Sequence, residues 1–111
     1  MPQEKVLVTS ALPYANGPIH LGHLSGAYLP ADIYVRYLTQ RGADVVSATG
    51  SDCHGTPIAV AALNEKISPQ ELVDRNHNKI VELLEKWNIK LNYSKTANPF
   101  HYEWVQEFYR H

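Results

Sequence analysis

The sequence predicts an α/β fold with a parallel sheet, and two apolar runs carry this prediction. Residues 5–10 form a β-branched run with the length of a buried parallel strand, and residues 44–49 form a second run that ends at a glycine. After each run the apolar residues recur at helical spacing, so each strand is followed by helices. Strands connected in this way take right-handed crossovers and bind ligands at their C-terminal ends. The predicted fold is therefore half of a Rossmann-like parallel sheet with the order βαβαβ.

The predicted helices begin and end at residues that are typical of helix termini. The first runs from residue 19 or 20 to residue 40, where Gly42 stops it, and a kink or short break is expected at residues 25–30 because Pro30 donates no hydrogen bond. Later helices begin at capping residues, each followed by a proline that favours the first turn. Thr56 is the predicted cap of a helix at residues 57–66, and Ser68 is the predicted cap of a helix at residues 69–87. Asn98 is the predicted cap of a last helix, which begins at Pro99. Residues 89–93 alternate between apolar and polar, which predicts a half-exposed third strand.

Length, charge and cysteine content limit the classes of function. A chain of 111 residues fits one small domain, and 44% apolar residues suffice for a core. The net charge of −1, with scattered lysines and arginines, gives no electrostatic reason to expect strong nucleic-acid binding. The one cysteine, Cys53, excludes an internal disulfide, and no Cys–His spacing is typical of zinc. Without a signal peptide or a membrane-spanning run, the sequence predicts a soluble cytoplasmic protein with no membrane partner.

The stretch between the first strand and the first helix has the composition of a nucleotide-phosphate site. Residues 11–23 read Ala-Leu-Pro-Tyr-Ala-Asn-Gly-Pro-Ile-His-Leu-Gly-His. Four turn residues let the backbone reverse and are expected to leave the first helical N–H groups unpaired, an arrangement that attracts anions. These turn residues are Pro13, Asn16, Gly17 and Pro18. His20 and His23 lie on one face of the first turn, and Gly22 between them leaves room for a flat ring.

A second polar block follows the second strand, and residues 50–58 read Gly-Ser-Asp-Cys-His-Gly-Thr-Pro-Ile. Asp52 either caps the turn after the strand or binds a ligand at the C-terminal edge of the sheet. His54 likewise either contacts only the backbone or contributes to the site. His77 and His101 lie within predicted helices without a partner at metal spacing, so both are expected to be structural.

Together the two blocks resemble class I aminoacyl-tRNA synthetases. Residues 20–23 match the family's His-Ile-Gly-His signature, with Leu21 in the position of the isoleucine. The longer string 12–20 is similar to the methionine-specific enzymes, and Thr56 differs from the leucine that the other aliphatic-specific enzymes tend to carry there. The resemblance extends from about residue 5 to the last residue, and the archaeal type of methionine enzyme is the most similar.

The resemblance implies that residues 1–111 are the N-terminal half of the nucleotide-binding catalytic domain, with no second domain in this chain. The complete enzyme would form methionyl-adenylate from methionine and ATP-Mg and then transfer methionine to tRNA. The family's Lys-Met-Ser-Lys-Ser loop, its zinc-bearing inserted peptide and its anticodon-binding domain have no counterpart in the 111 residues. Zinc is therefore expected only in that peptide. This chain is expected to bind no metal, to bind tRNA weakly or not at all, and to have little or no activity alone.

The roles of individual residues follow from the same resemblance. His20 and His23 are the expected catalytic residues, which stabilise charge on the ATP phosphates as imidazolium donors because phosphate favours the charged ring. Further contacts with ATP are expected through Asn16, Gly17 and Gly22, and Gly22 is expected to lie under the adenine. Contacts with methionine are expected through Ala11, Leu12, Tyr14 and Asp52. Asp52 would hold the ammonium group of methionine, and His54 is a further candidate.

Two other classes of protein fit part of the pattern. A small adenylyltransferase also begins a helix with His-x-Gly-His, but that class has no block that matches residues 52–56. A non-catalytic paralogue that binds nucleotide or a partner protein would carry the same motifs. If the chain is instead half of a synthetase domain, its first strand lacks a neighbour on the outer side and would expose unpaired backbone groups. The chain is therefore expected to self-associate through that strand or to be disordered at residues 11–17, and to bind ATP weakly.

Overall fold

A computed structural model describes residues 4–111 and contains three parallel strands flanked by helices. The elements are β1 (Lys5–Thr9), α1 (Leu21–His23), a π-helical segment (Leu24–Tyr28), α2 (Leu29–Gln40), β2 (Asp44–Ser51), α3 (Thr56–Glu65), α4 (Pro69–Lys86), β3 (Tyr93–Lys95) and α5 (Pro99–Arg110). β2 is the middle strand, since β1 pairs with its residues 44–48 and β3 with its residues 49–51. The predicted α/β class is confirmed. No helix in residues 4–111 has the length and apolar character needed to cross a bilayer.

The helical run after β1 is interrupted where the sequence predicts it. In the π-helical segment the N–H of Leu29 donates to the carbonyl of Leu24, five residues back. This wider turn directly precedes Pro30, which has no N–H to donate. At the far end Gly42 has a φ of 83°, a left-handed conformation that glycine adopts without strain. The predicted break and the predicted stop are both confirmed.

Two of the three predicted helix caps are confirmed and one is wrong. The side chains of Ser68 and Asn98 each accept a backbone N–H from the first turn of the helix that follows. Thr56, the third predicted cap, is instead the first residue of α3, and the cap is Gly55, which has a φ of 111° and makes no side-chain bond. The helix begins one residue early because the carbonyl of Gly55 already accepts the N–H of Ala59, four residues on, at 3.4 Å.

The predicted third strand is confirmed, but it does not cover residues 89–92, because two backbone donors there bond side chains instead of a neighbouring strand. The N–H of Lys90 donates to the Asp32 carboxylate at 2.8 Å, and the N–H of Asn92 donates to the Ser47 hydroxyl at 2.9 Å. Regular pairing with β2 begins only where β3 begins. The third strand therefore exists, but it is shorter and lies nearer the C-terminus.

Helix α4 contributes to both groups of buried apolar residues. The first group is Ala15, Cys53, Ile58, Ala62, Leu72 and Val73, and the second is Ile19, Leu24, Tyr28, Ile80, Leu84 and Ile89. Both groups include residues from the loops and turns after β1, and the first also includes Cys53 from the block after β2. Core packing therefore holds the two predicted motif segments against the same helix.

Candidate active site

The two predicted motifs contact each other just beyond the C-terminal ends of β1 and β2. The N–H of Asp52 donates to the carbonyl of Pro13, and the N–H of Ala15 donates to the carbonyl of Asp52, both at 2.8 Å. Tyr14 consequently pairs with Asp52 in a short parallel bridge. The sequence places both motifs at one edge of the sheet, and the structure joins them through the backbone.

The first turn of α1 is closed by the two signature histidines themselves. Nδ1 of His20 accepts the N–H of Gly22 at 3.0 Å, and Nδ1 of His23 accepts the N–H of His20 at 3.1 Å. The result is a reciprocal capping box made of two imidazoles whose ring centroids are 4.0 Å apart. The expectation of unpaired N–H groups at this helix start is therefore wrong for His20 and Gly22.

These capping bonds decide which ring nitrogen can face an anion. In each ring Nδ1 is the nitrogen that accepts the backbone N–H, so Nε2 is the ring nitrogen left to face a ligand. That His20 and His23 act as imidazolium donors toward ATP stays a prediction. Each ring retains one donor, the Nε2–H, which the helix start does not use. The pair can therefore present two Nε2–H donors, held in place by the bonds to the backbone.

Gly22 leaves space for the ring of His20. A Cβ at position 22 would lie 2.9 Å from Cε1 and 3.0 Å from Nδ1 of His20, closer than such contacts normally come. Any larger residue would displace the ring from its cap. This contact by itself explains why glycine stands at position 22. The placement of Gly22 under an adenine stays a prediction. The ATP contacts of Asn16 and Gly17 also stay predictions.

The Asp52 carboxylate makes the turn-capping bond and retains a second oxygen. Its Oδ1 accepts the N–H of His54 at 3.3 Å, so the capping interpretation is correct for that atom. The ring of His54 packs near Tyr102 of α5, with centroids 5.6 Å apart. Leu12 and Tyr14 are each about half exposed, at 51% and 50%, so neither side chain is taken up by the core.

An apolar cavity of about 440 Å³ opens beside Leu12. Its other walls include Thr49 and Gly50 at the end of β2, and Phe100 and His101 at the start of α5. Within residues 4–111 the cavity lining does not include Asp52, Tyr14 or the signature histidines. The expected methionine residues are thus close in the fold, but they do not all surround one cavity.

Three side chains that carry no local sequence signal hold the motif loops in place. The Tyr28 hydroxyl donates to the Ala11 carbonyl at 3.1 Å, and Asn76 Nδ2 donates to the Ala15 carbonyl at 2.9 Å. Thr96 Oγ1 accepts the N–H of Cys53 at 2.9 Å. Each bond joins residues at least 17 positions apart. Periodicity and short motifs therefore could not reveal these supports.

A polar network lies directly before Asp52, around the buried Ser51. Ser51 Oγ is 3.0 Å from Nδ1 of His77 and 2.9 Å from the hydroxyl of Tyr93, whose ring stacks on His77. Burial raises the pKa of Tyr93 to about 12, and burial also lowers the pKa of His77. Both groups are therefore neutral near pH 7, which agrees with a structural role for His77. In residues 4–111, no cluster of three His, Cys, Asp or Glu side chains is placed to hold a metal ion.

Parallel sheet, signature helix start and the block at Asp52 together define a class I aminoacyl-tRNA synthetase core. A family model described as tRNA synthetases class I (M) matches residues 6–111, and the chain belongs to this family. The methionine–tRNA ligase of Pyrococcus furiosus is 56% identical over 106 residues, and that of Chloroherpeton thalassium is 53% identical over 107 residues. These matches cover 95% and 96% of this chain but only 15% of each relative. The archaeal subtype stays a prediction.

Solved structures give the same relationship. Mycobacterium tuberculosis methionyl-tRNA synthetase in complex with methionyl-adenylate superposes with a TM-score of 0.92 at 29% identity. The match covers 97% of this chain and 21% of that chain. A second structure of that enzyme, bound by methionyl-adenylate, gives a TM-score of 0.88. The chain therefore corresponds to a small part of each protein that it matches.

Proposed function

We propose that the complete protein containing this chain is a methionine–tRNA ligase, which activates methionine with ATP and transfers it to tRNA. The observation that carries the proposal is the backbone contact of Pro13 and Ala15 with Asp52, which joins an acidic side chain to the signature loop in a chain of this family. In this proposal residues 1–111 are the N-terminal half of the catalytic domain. The cytoplasm is the expected location.

The activation step needs stabilisation of negative charge. A methionine carboxylate oxygen attacks the α-phosphorus of ATP, the bond to the bridging oxygen breaks, and pyrophosphate leaves, so charge builds on the phosphate oxygens. Hydrogen-bond donors that already point toward the phosphate stabilise such charge without having to reorient during the reaction. His20 and His23 would each supply one Nε2–H, and their capping bonds support this role because they hold both rings. ATP would enter as its magnesium complex, with Asn16, Gly17 and Gly22 beside it.

Methionine would bind on the other side of the loop. Asp52 would hold the ammonium group through Oδ2, the carboxylate oxygen that the His54 bond does not use. Ala11, Leu12 and Tyr14 would contact the side chain, and an aromatic ring suits a polarizable thioether. The apolar cavity beside Leu12 supports this assignment for Leu12.

The isolated chain is expected to be incomplete. β1 is an edge of the sheet formed by residues 4–111, and its Leu7 is 66% exposed. Ser10 Oγ, just after β1, is buried without a hydrogen-bond partner in the same residues. In complete sheets of this class a further strand pairs at this position. We therefore expect the chain alone to self-associate through β1 or to be disordered at residues 11–17, and to bind ATP and tRNA weakly.

Light scattering across a concentration series, together with an ATP titration, tests the behaviour of the isolated chain. A rigid monomer that binds ATP with micromolar affinity would contradict it. Zinc and the tRNA-anticodon contacts would belong to other parts of the complete protein, so zinc analysis of the chain is expected to find none bound.

The activity is tested by exchange of labelled pyrophosphate into ATP, with methionine, leucine, isoleucine or valine as the amino acid. The complete protein is expected to catalyse exchange with methionine far faster than with the other three, and the 111-residue chain is expected to remain near background. ATP binding without amino-acid-dependent exchange in the complete protein would refute the proposal and favour a non-catalytic paralogue. Adenylyl transfer to another acceptor, in place of methionine, would favour a small adenylyltransferase.

A further inference from the structure

The signature loop is tied to helix α4 by one buried side chain, that of Asn76. Its Nδ2 donates to the carbonyl of Ala15 at 2.9 Å, and the two residues are 4% and 0% exposed. A buried carbonyl is unfavourable without a partner, so this bond stabilises one position of the loop. Asn76 lies 61 positions from Ala15, which makes the bond a tertiary contact and not part of a local turn.

Ala15 also carries the contact between the two motifs. Its carbonyl accepts from Asn76, and its N–H donates to the carbonyl of Asp52 at 2.8 Å. A continuous set of bonds thus runs from α4 through the loop to the block after β2. Ala15 stands in the sequence between Tyr14, which we assign to methionine, and Asn16, which we assign to ATP. A shift at Ala15 would therefore change the relative position of the two substrates.

The next residue of α4 contacts the other motif. Nδ1 of His77 is 3.0 Å from Oγ of Ser51, the residue directly before Asp52. α4 itself is held by the cap at Ser68 and by its share of both buried apolar groups. One well-anchored helix thus contacts the signature loop and the end of β2 through two consecutive side chains.

We propose that Asn76 is a positioning residue for methionine activation. Its amide holds the loop relative to Asp52, so that the methionine carboxylate and the α-phosphorus of ATP are aligned for attack. This inference rests on the proposed function above. Asn76 contacts neither substrate in this arrangement and acts through Ala15. Alignment of reacting groups is sensitive to small movements, since a displacement of about 1 Å can lower a rate by about 100-fold.

Two substitutions of Asn76 test the hydrogen bond, one that keeps the size of the side chain and one that removes the amide. Asn76→Asp keeps the shape but turns an acceptor toward the Ala15 carbonyl, and Asn76→Ala removes the donor without adding a charge. The matched controls are Asn78→Asp and Asn78→Ala, because Asn78 is the same residue type on the same helix and is exposed. If Asn76→Asp does not fold, the result of Asn76→Ala tests the proposal, because this variant removes one hydrogen bond between neutral groups and buries no charge.

The experiment is methionine-dependent pyrophosphate exchange by the complete protein, with rates expressed per active site from the amount of adenylate formed in the first turnover. We expect Asn76→Ala to lower kcat per site by about 10- to 100-fold, while KM for methionine and for ATP each change by less than about threefold. The Asn78 variants are expected to match the wild type. Amide hydrogen exchange is expected to be faster in the peptide covering residues 11–17 for Asn76→Ala, but not for Asn78→Ala.

The outcomes distinguish this inference from the function on which it rests. If the wild type is active and Asn76→Ala matches Asn78→Ala in kcat per site, the positioning role is refuted while the proposed function stands. A loss of active sites with an unchanged rate per site would also refute it, because that result indicates a role in folding only. A wild-type protein without methionine-dependent exchange would refute the proposed function, and the inference with it.

Discussion

His20 has two roles in the proposed site, and replacement by asparagine separates them. Its Nδ1 accepts the N–H of Gly22 at 3.0 Å and caps α1, whereas its Nε2–H is the proposed donor to phosphate. Asparagine is among the best N-cap residues, so His20→Asn keeps the cap and removes the Nε2 donor. His20→Ala removes both, and the loss of a cap costs about 1 kcal/mol of stability.

The two roles differ in size and in the quantity that they affect. Removal of one preorganised donor from a developing charge raises the barrier by about 2–4 kcal/mol, which slows the reaction by about 30- to 1000-fold. We therefore expect His20→Asn and His20→Ala to share a loss of rate in this range, with a smaller effect on the KM for methionine. The two variants are expected to differ in unfolding free energy by about 1 kcal/mol.

Pyrophosphate exchange by the complete protein measures the rate, and urea unfolding measures the stability. An unchanged exchange rate in His20→Asn would refute the Nε2 contact. If His20→Ala is slow while His20→Asn is normal, the reaction needs only the cap at this position, and charge stabilisation must come from other groups.

Three further predictions concern Asp52, the contact between β2 and β3, and His77. Asp52→Ala is expected to weaken methionine activation strongly and ATP affinity little in exchange kinetics, because the bound ammonium would lose its charged partner and keep its desolvation cost. Gly50→Ala is expected to lower the unfolding free energy in urea by about 1–3 kcal/mol, because its Cβ would lie 2.7 Å from the carbonyl oxygen of Ser94. Burial lowers the pKa of His77 in the folded chain. The unfolded chain therefore binds that proton more readily, and the unfolding free energy is expected to fall as the pH drops below about 6.5, less so in His77→Gln.

Each of these predictions has a result that contradicts it. Normal methionine kinetics in Asp52→Ala would leave only the turn-capping role of that carboxylate. Gly26→Ala is the control for Gly50→Ala, because a Cβ at position 26 has nothing within 4 Å. Equal stability of the two glycine variants would rule out the close approach of β3. If the unfolding free energy of His77→Gln falls with pH as it does in the wild type, a group other than His77 causes the pH dependence.

Local signals predicted the elements whose boundaries depend on neighbouring residues. Ser68 and Asn98 cap their helices because a side-chain oxygen and an N–H three residues on are close in any helix start. Gly42 and the break before Pro30 are equally local. The position of the two motifs at the ends of β1 and β2 followed from the strand pattern alone, because parallel strands end at the same edge.

Contacts between distant residues decided the rest. The pattern at residues 89–93 is that of a strand, yet Lys90 and Asn92 donate to Asp32 and Ser47, which lie more than 40 positions away. Asn76 carries no local signal for the same reason. The mutual capping of the signature histidines depends on the rotation of their rings, which residue spacing does not specify.

The measurement that tests the assignment of the site most directly is a crystal structure of the complete protein with a non-hydrolysable analogue of methionyl-adenylate. We predict that the ammonium nitrogen lies within about 3 Å of the Asp52 carboxylate, and that an oxygen of the phosphate mimic lies equally close to Nε2 of His20 or His23. Leu12 and Tyr14 are expected to contact the thioether side chain. An analogue with its ammonium group on other residues, or with its phosphate mimic away from both histidines, would contradict the assignment.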